Sequence, residues 1–359
     1  MKSESARLRR IALVPAASSM VVAVQATTRE ALKRRTMLTI CCGLMVLAEA
    51  SMRSQQQIID PDFRAVVERP AYSSAGPIIA IDEAHANFHT ASGQYAPFAA
   101  LLRSDGYQVV ASTRIFTPGA LAGIHVLVIA NARNVTALLA GDISKPALTD
   151  AECEVVSDWV RAGGSLLLIA DHAPYGNAVD NLAQRFGIAM GKGWAFDRIS
   201  GGGITTQLVF SRENGSLGTH PILSGRNASE AVQSIRSFTG QSLSVPVGAT
   251  ILMKLAPSTR EAPTPDDLEA EEAASRNAES SAAFGGRSKS ADGRAQGLAM
   301  AVGQGRVVVL GEAALLSAQI LRLTEGNQQR DTKIGMNVPG SDDRQFALNV
   351  LHWLSRLLN

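Results

Sequence analysis

Short apolar runs punctuate the chain: Pro77-Ile-Ile-Ala-Ile-Asp82, Gln108–Ser112, His125–Ala130 and Ser165–Ala170. Runs of this length suit strands buried on both faces of a parallel sheet. Between them the apolar spacing becomes helical. Tyr95–Ser104 sets Phe98, Leu101 and Leu102 on one face, and Gly106 stops it. Thr149-Asp-Ala-Glu152 reads as a capping box, followed by an apolar face of Val155, Val156, Trp159 and Val160 and a Gly163-Gly164 stop. Ala178–Phe186 predicts another helix. Strands alternating with helices imply right-handed crossovers. The expected fold class is therefore α/β, with a mainly parallel central sheet and helices on both faces.

After residue 186 the pattern loosens. Strands are expected at Thr205–Phe210, Val232–Phe238 and Thr250–Leu255. Gly297–Val302 and Arg306–Leu310, flanking Gly303-Gln-Gly305, read as a C-terminal antiparallel hairpin. Arg344–Leu358 reads as a closing helix. Residues 257–296 are polar and broken by Pro257, Pro263, Pro265 and Gly285-Gly286, so a mobile loop is expected there, inside a single domain spanning 77–359. Residues 51–76, polar and bounded by prolines, read as a lead-in segment.

Residues 1–50 read as an export signal. Lys33-Arg34-Arg35 precedes the apolar run Met37–Leu47, and Ala48-Glu-Ala50 offers small residues where a signal peptidase reads them. Arg34-Arg-Thr-Met-Leu38 also has the form of a twin-arginine signal. The expectation is an exported protein, periplasmic or secreted, with its signal removed near Ala50. The whole chain holds 34 Lys+Arg against 32 Asp+Glu; the leader carries eight of the former and three of the latter, which leaves residues 51–359 at a net −3. Without a basic excess, no nucleic-acid partner is expected. No uncharged apolar stretch reaches the roughly 20 residues of a membrane span, so none is expected in the mature chain. Cysteines at 41, 42 and 153 alone exclude a disulfide scaffold.

In an open parallel sheet, ligands bind beyond the carboxyl ends of the strands. Those ends carry Asp82-Glu83-Ala-His85-Ala-Asn87-Phe-His89, Asn131-Ala-Arg133, Asp171-His172-Ala-Pro-Tyr175 and Gly311-Glu312. Imidazoles beside carboxylates can share a proton in general acid–base chemistry or ligate a divalent metal. Asp82, Glu83, His85, Asp171, His172 and Glu312 are expected to line one cleft. His85, His172, Asp171 and Glu83 are the candidate catalytic groups. Asp82, Asn87, His89, Asn131, Tyr175, His220 and Glu312 are the candidate ligand-binding groups, His220 at the pocket rim. No cofactor is expected. The alternative is a divalent metal at His85 and His89, whose four-residue spacing would share a helix face. No Gly-x-Ser-x-Gly elbow is present, and Cys153 falls within a helix.

Asp158-Trp-Val-Arg-Ala-Gly-Gly-Ser-Leu-Leu-Leu-Ile-Ala-Asp-His172 is similar to the helix, double glycine, strand and His-ending loop of proteins with the class I glutamine amidotransferase-like fold. Thr219-His-Pro-Ile222 and Gly303-Gln-Gly-Arg-Val307 resemble its trehalose-utilisation-type branch. Together with the segments Asp82–His89 and Asn337–Phe346, the chain most resembles an uncharacterised bacterial family with this fold, over about residues 77–358. The resemblance implies a flavodoxin-like three-layer sandwich. It departs at the strand-to-helix elbow, where Asp171 and His172 stand in place of a nucleophilic Cys, so thioester chemistry on glutamine is excluded. Three readings remain open. One is an exported non-amidotransferase that binds a small polar molecule such as a sugar. The second is a hydrolase using the His/acid cluster, with or without a metal. The third is an envelope scaffold that meets a protein partner through 257–296.

Overall fold

A computed structural model describes residues 53–199, 202–277, 287–325 and 328–359. The expected leader and its cleavage site lie outside the described residues. Seven strands form the central sheet: β1 Ile78–Asp82, β2 Gln108–Ser112, β3 Val126–Ala130, β4 Ser165–Ile169, β5 Thr250–Lys254, β6 Ala295–Val302 and β7 Gly305–Leu310. Their order is β5-β6-β7-β4-β3-β1-β2. From β7 through β2 every pairing is parallel. β6 runs antiparallel to both β7 and β5, so it is the one reversed strand in this sheet. The fold is thus mixed α/β with mostly parallel strands, and β1 lies inside the sheet.

Alternation along the buried strands divides the core between two faces. Ile79, Ile81, Val126, Val128, Leu167, Ile169 and Val308 pack with Phe98, Leu101 and Leu102 of α1 (Ala96–Ser104). The same cluster takes in Phe346, Val350 and Leu354 of the closing helix, Asp343–Leu354. Ala80, Leu127, Ile129, Leu166, Leu168, Val307 and Val309 face the other way, onto Val156 and Val160 of α2 (Asp150–Arg161) and Val179 and Leu182 of α3 (Tyr175–Gln184). The capping box of α2 forms as expected: Glu152 N donates to Thr149 Oγ1 at 3.2 Å, and Thr149 N donates to Glu152 Oε2 at 3.0 Å. The Gly303-Gln-Gly305 turn joins β6 to β7. A Cβ on Gly305 would stand 2.0 Å from Val160 O and 2.3 Å from Gly164 O, so the hairpin meets α2 only because that residue is glycine.

Residues 257–296, expected as a loop, hold a strand at Arg260–Ala262, helix α4 at Pro265–Asn277 and a strand at Lys289–Ser290. Polar ties order this stretch where apolar burial is scarce. Glu261 Oε1 accepts from Gly193 N at 3.0 Å and Ser242 N at 3.1 Å, and Arg260 Nε donates to Ser288 Oγ at 2.9 Å. The closing helix, α5, covers Asp343–Leu354. Ser54–Asn359 clusters as one compact unit. Among the described residues no helix is long and apolar enough to cross a membrane.

Candidate functional site

The connections after β1 and β3 leave the sheet toward opposite sides, because β2 lies beyond β1 while β4 lies beyond β3. The crevice between them is the topological switch point. Its backbone is strained on both sides: Ala86 has φ 48° and Asn131 φ 47°. Asn tolerates the left-handed region, whereas an alanine there costs about 1 kcal/mol or more. Arg133 braces the alanine turn; its Nε donates to Ala86 O at 2.8 Å and its backbone N to His85 O at 2.9 Å.

One group of side chains is closed on itself. His85, 7% exposed, sits between two carboxylates: Nδ1 donates to Asp82 Oδ2 at 2.8 Å and Nε2 to Glu152 Oε1 at 2.9 Å. Burial alone would lower its pKa, but the bonds and charges of Asp82 and Glu152 outweigh that and raise it above the usual value. Both ring nitrogens are committed, so His85 welds β1 to α2 and is not an open base. Residues 83–95 form turns, so His85 and His89 do not share the helix face that a metal pair would need. Asn87 is buried and donates to Ala130 O at 3.2 Å, and Glu83 accepts from Ala91 N at 2.9 Å. His89 is 3% exposed, and neither ring nitrogen has a hydrogen-bond partner among the described residues. Its ring lies 4.6 Å from Tyr95, and burial drives its pKa down to about 3.

A second group gathers the ends of β3, β4 and β7. Asn131 and Asp171 exchange two bonds: Asn131 Nδ2 donates to Asp171 Oδ2 at 2.8 Å, and Asp171 N donates to Asn131 Oδ1 at 2.9 Å. Asp171 Oδ1 accepts from Ala313 N at 3.0 Å. Glu312 accepts from Ala314 N and Leu315 N at 2.8 and 2.7 Å. Because β7 is parallel to its neighbour β4, Glu312 reaches the carboxyl edge with the rest. Asp171 keeps a little exposed surface, yet its carboxyl is enclosed by protein. Desolvation raises both acids, and Asp171 pushes Glu312 higher still. Gln241, which is fully buried, locks this loop by donating to Ala170 O and Asp171 O at 2.8 and 2.9 Å.

The third group is half-exposed and forms a mouth. His172 stacks on Trp194 at 4.3 Å with the rings inclined by 20°. Tyr175 stands 6.4 Å from His172 and 6.3 Å from Phe88, and the Arg133 guanidinium lies 5.8 Å from the Phe88 ring. Burial raises the Tyr175 pKa, Asp171 raises it further and Arg133 opposes both.

His220 is not part of this edge. Its Nδ1 accepts from Ile222 N at 3.2 Å, and its ring lies 4.9 Å from Trp353. Burial first, then Arg306 at the amino end of β7, lowers its pKa to about 4. The histidine caps a short helix, which is the ordinary use of such a turn. Glu152, Gln241 and Trp194 were not singled out as site residues. Glu152 was visible only as a cap, and neither Gln241 nor Trp194 lies at the end of an apolar run. Among the described residues no group of three or more His, Cys, Asp and Glu side chains could hold a metal ion.

No family model and no curated protein matches the chain. Solved structures resemble it distantly. The mmIFT52 N-terminal domain aligns at 14% identity and a TM-score of 0.49, over 77% of this chain and 97% of its own. A putative thua-like protein from Bacteroides uniformis aligns at 12% and 0.38, over 82% and 95%. A cytoplasmic protein from Salmonella typhimurium aligns at 13% and 0.39, over 77% and 98%. At these identities and scores the likenesses assign neither family nor activity.

Proposed function

We propose that the mouth at the carboxyl edge binds a small polar ligand such as a sugar, in a glutamine amidotransferase-like protein that has no elbow cysteine and works outside the cytoplasm. The observation that carries the reading is the unbroken row of half-buried rings Phe88, Tyr175, His172 and Trp194, with Asp171 and Arg133 beside it. Ring faces take the apolar face of a cyclic ligand, while the acid and the guanidinium fix its polar edge. The order β2-β1-β3-β4-β7 is that of flavodoxin-like sheets, in which ligands sit at this crevice.

Trp194 supplies the assay. Titration with a panel of monosaccharides, disaccharides and polyols should change tryptophan fluorescence saturably, and Trp194→Phe should abolish the change. A flat panel by both fluorescence and calorimetry would remove this reading. A hydrolase is the second reading, favoured by Asp171: a carboxyl whose pKa is raised by burial can donate a proton to a leaving group. Turnover of glycosides or esters by the wild type, lost in Asp171→Asn, would select it, and a chelator would report any metal requirement.

A further inference from the structure

A groove of about 620 Å³ runs along the outer side of α5 and shares no residue with the carboxyl-edge site. Arg344, Leu348 and His352 face it at four-residue intervals, one stripe of the helix ~12 Å long. The lead-in segment around Val67 and Arg69 forms one wall, and Arg226 with Glu230 forms the other.

The two ends differ in charge. At the first end Arg69 is exposed and makes no hydrogen bond or ion pair among the described residues. Arg344 donates to Val66 O and lies 5.9 Å from the Phe63 ring. Glu68 offsets one of these two charges, and Asp342 is turned to the backbone amides of Gln233 and Ser234. At the other end Arg226 is consumed by Glu230 at 2.6 Å, which leaves Asp105 as the excess negative charge. Asp105 Oδ2 accepts from His352 Nε2 at 2.7 Å, and both side chains are at most 1% exposed. That bond places the ring proton on Nε2, so Nδ1 is left as an acceptor; it is buried without a partner. A buried acceptor on a cavity wall, without a donor, calls for one from outside the chain.

We propose that this groove binds a short zwitterionic peptide of the dipeptide class. Its terminal carboxylate lies on Arg69 and Arg344, its ammonium donates to His352 Nδ1, and an apolar side chain rests on Leu348 and Val67. A volume near 600 Å³ is within the range of small-ligand pockets. A cation at one end and an acceptor at the other select a ligand charged at both ends.

Calorimetry with three probes tests this: Ala-Leu, N-acetyl-Ala-Leu without the ammonium, and Ala-Leu-amide without the carboxylate. Ala-Leu should bind saturably, and each blocked probe at least about tenfold more weakly, the scale of one lost charged contact. Arg69→Gln should make Ala-Leu and Ala-Leu-amide bind alike, while His352→Leu should erase the preference over N-acetyl-Ala-Leu. Arg69 is exposed, so its variant carries the test even if His352→Leu does not fold. Absence of saturable Ala-Leu binding, equal binding of all three probes, or a Arg69→Gln variant that still discriminates would each overturn the proposal.

Discussion

Replacing Glu152 with alanine should destabilise the protein far more than a helix cap alone can explain. The carboxyl makes three kinds of contact. It completes the capping box with Thr149, accepts from Phe116 N at 3.2 Å and accepts from His85 at 2.9 Å. Loss of a cap costs about 1 kcal/mol. An orphaned buried amide costs about 1–3 kcal/mol, and breaking a buried ion pair about 3–5 kcal/mol. These share one side chain and do not add, so about 4 kcal/mol is expected for Glu152→Ala and about 1 kcal/mol for Thr149→Ala. The assay is urea unfolding of both variants, with the midpoint as readout. The pH dependence supplies a signature. His85 has a folded pKa above 6.5, so its contribution is full below 6.5 and is lost as pH rises through the raised value. For Glu152, burial is outweighed by bonds from Thr149 and His85, so its pKa falls below 4.5; its contribution is present above 4.5 and is lost as pH falls through the lowered value. The gap between wild type and Glu152→Ala should therefore be widest between pH 4.5 and 6.5 and narrow on the alkaline side. If Glu152→Ala shifts the midpoint no further than Thr149→Ala, or the gap does not change with pH, the weld between β1 and α2 carries no energy.

Two further outcomes follow from single residues. His89 is held neutral with a pKa of about 3 against 6.5 unfolded, so acid should favour unfolding by about 2 kcal/mol at pH 5, since one unit is about 1.36 kcal/mol; His89→Phe should remove that slope in unfolding curves from pH 7 to 4, and an unchanged slope would show that the imidazole is accessible to protons. Gly305→Ala should cost about 3 kcal/mol or more, because its Cβ would meet two carbonyl oxygens at 2.0 and 2.3 Å, and a thermal midpoint within a degree of the wild type would contradict the close approach.

The central sheet was legible because strands covered on both faces must be apolar at every position, and β1, β3 and β4 are. The α2 cap was equally plain, since Thr149 and Glu152 have one local geometry that satisfies both. Strands outside the sheet were harder to read. Trp194–Arg198 ends in charged residues, and the hairpin of Ala318–Glu325 and Gln328–Gly335 is largely polar, so neither shows a core pattern. At the site, positional reasoning brought Asp82, His85, Asn131, Asp171 and Glu312 to one edge, because parallel strands end together. It could not tell a committed histidine from an open one. His85 is closed by Glu152, 67 positions away, and His89 by packing against Tyr95; both depend on contacts that leave no local trace.

The place of β7 has a consequence for how the chain reaches this state. Leu167 of β4 and Val308 of β7 are adjacent in the sheet but 141 positions apart in sequence. The first four strands can zip together early from neighbouring segments, but the flank of β4 then stays bare until the late hairpin arrives. Contacts of such long range slow folding, and an open strand edge is a template for pairing with another chain. Refolding should thus depend on concentration, with the yield falling as copies compete with β7 for the β4 edge.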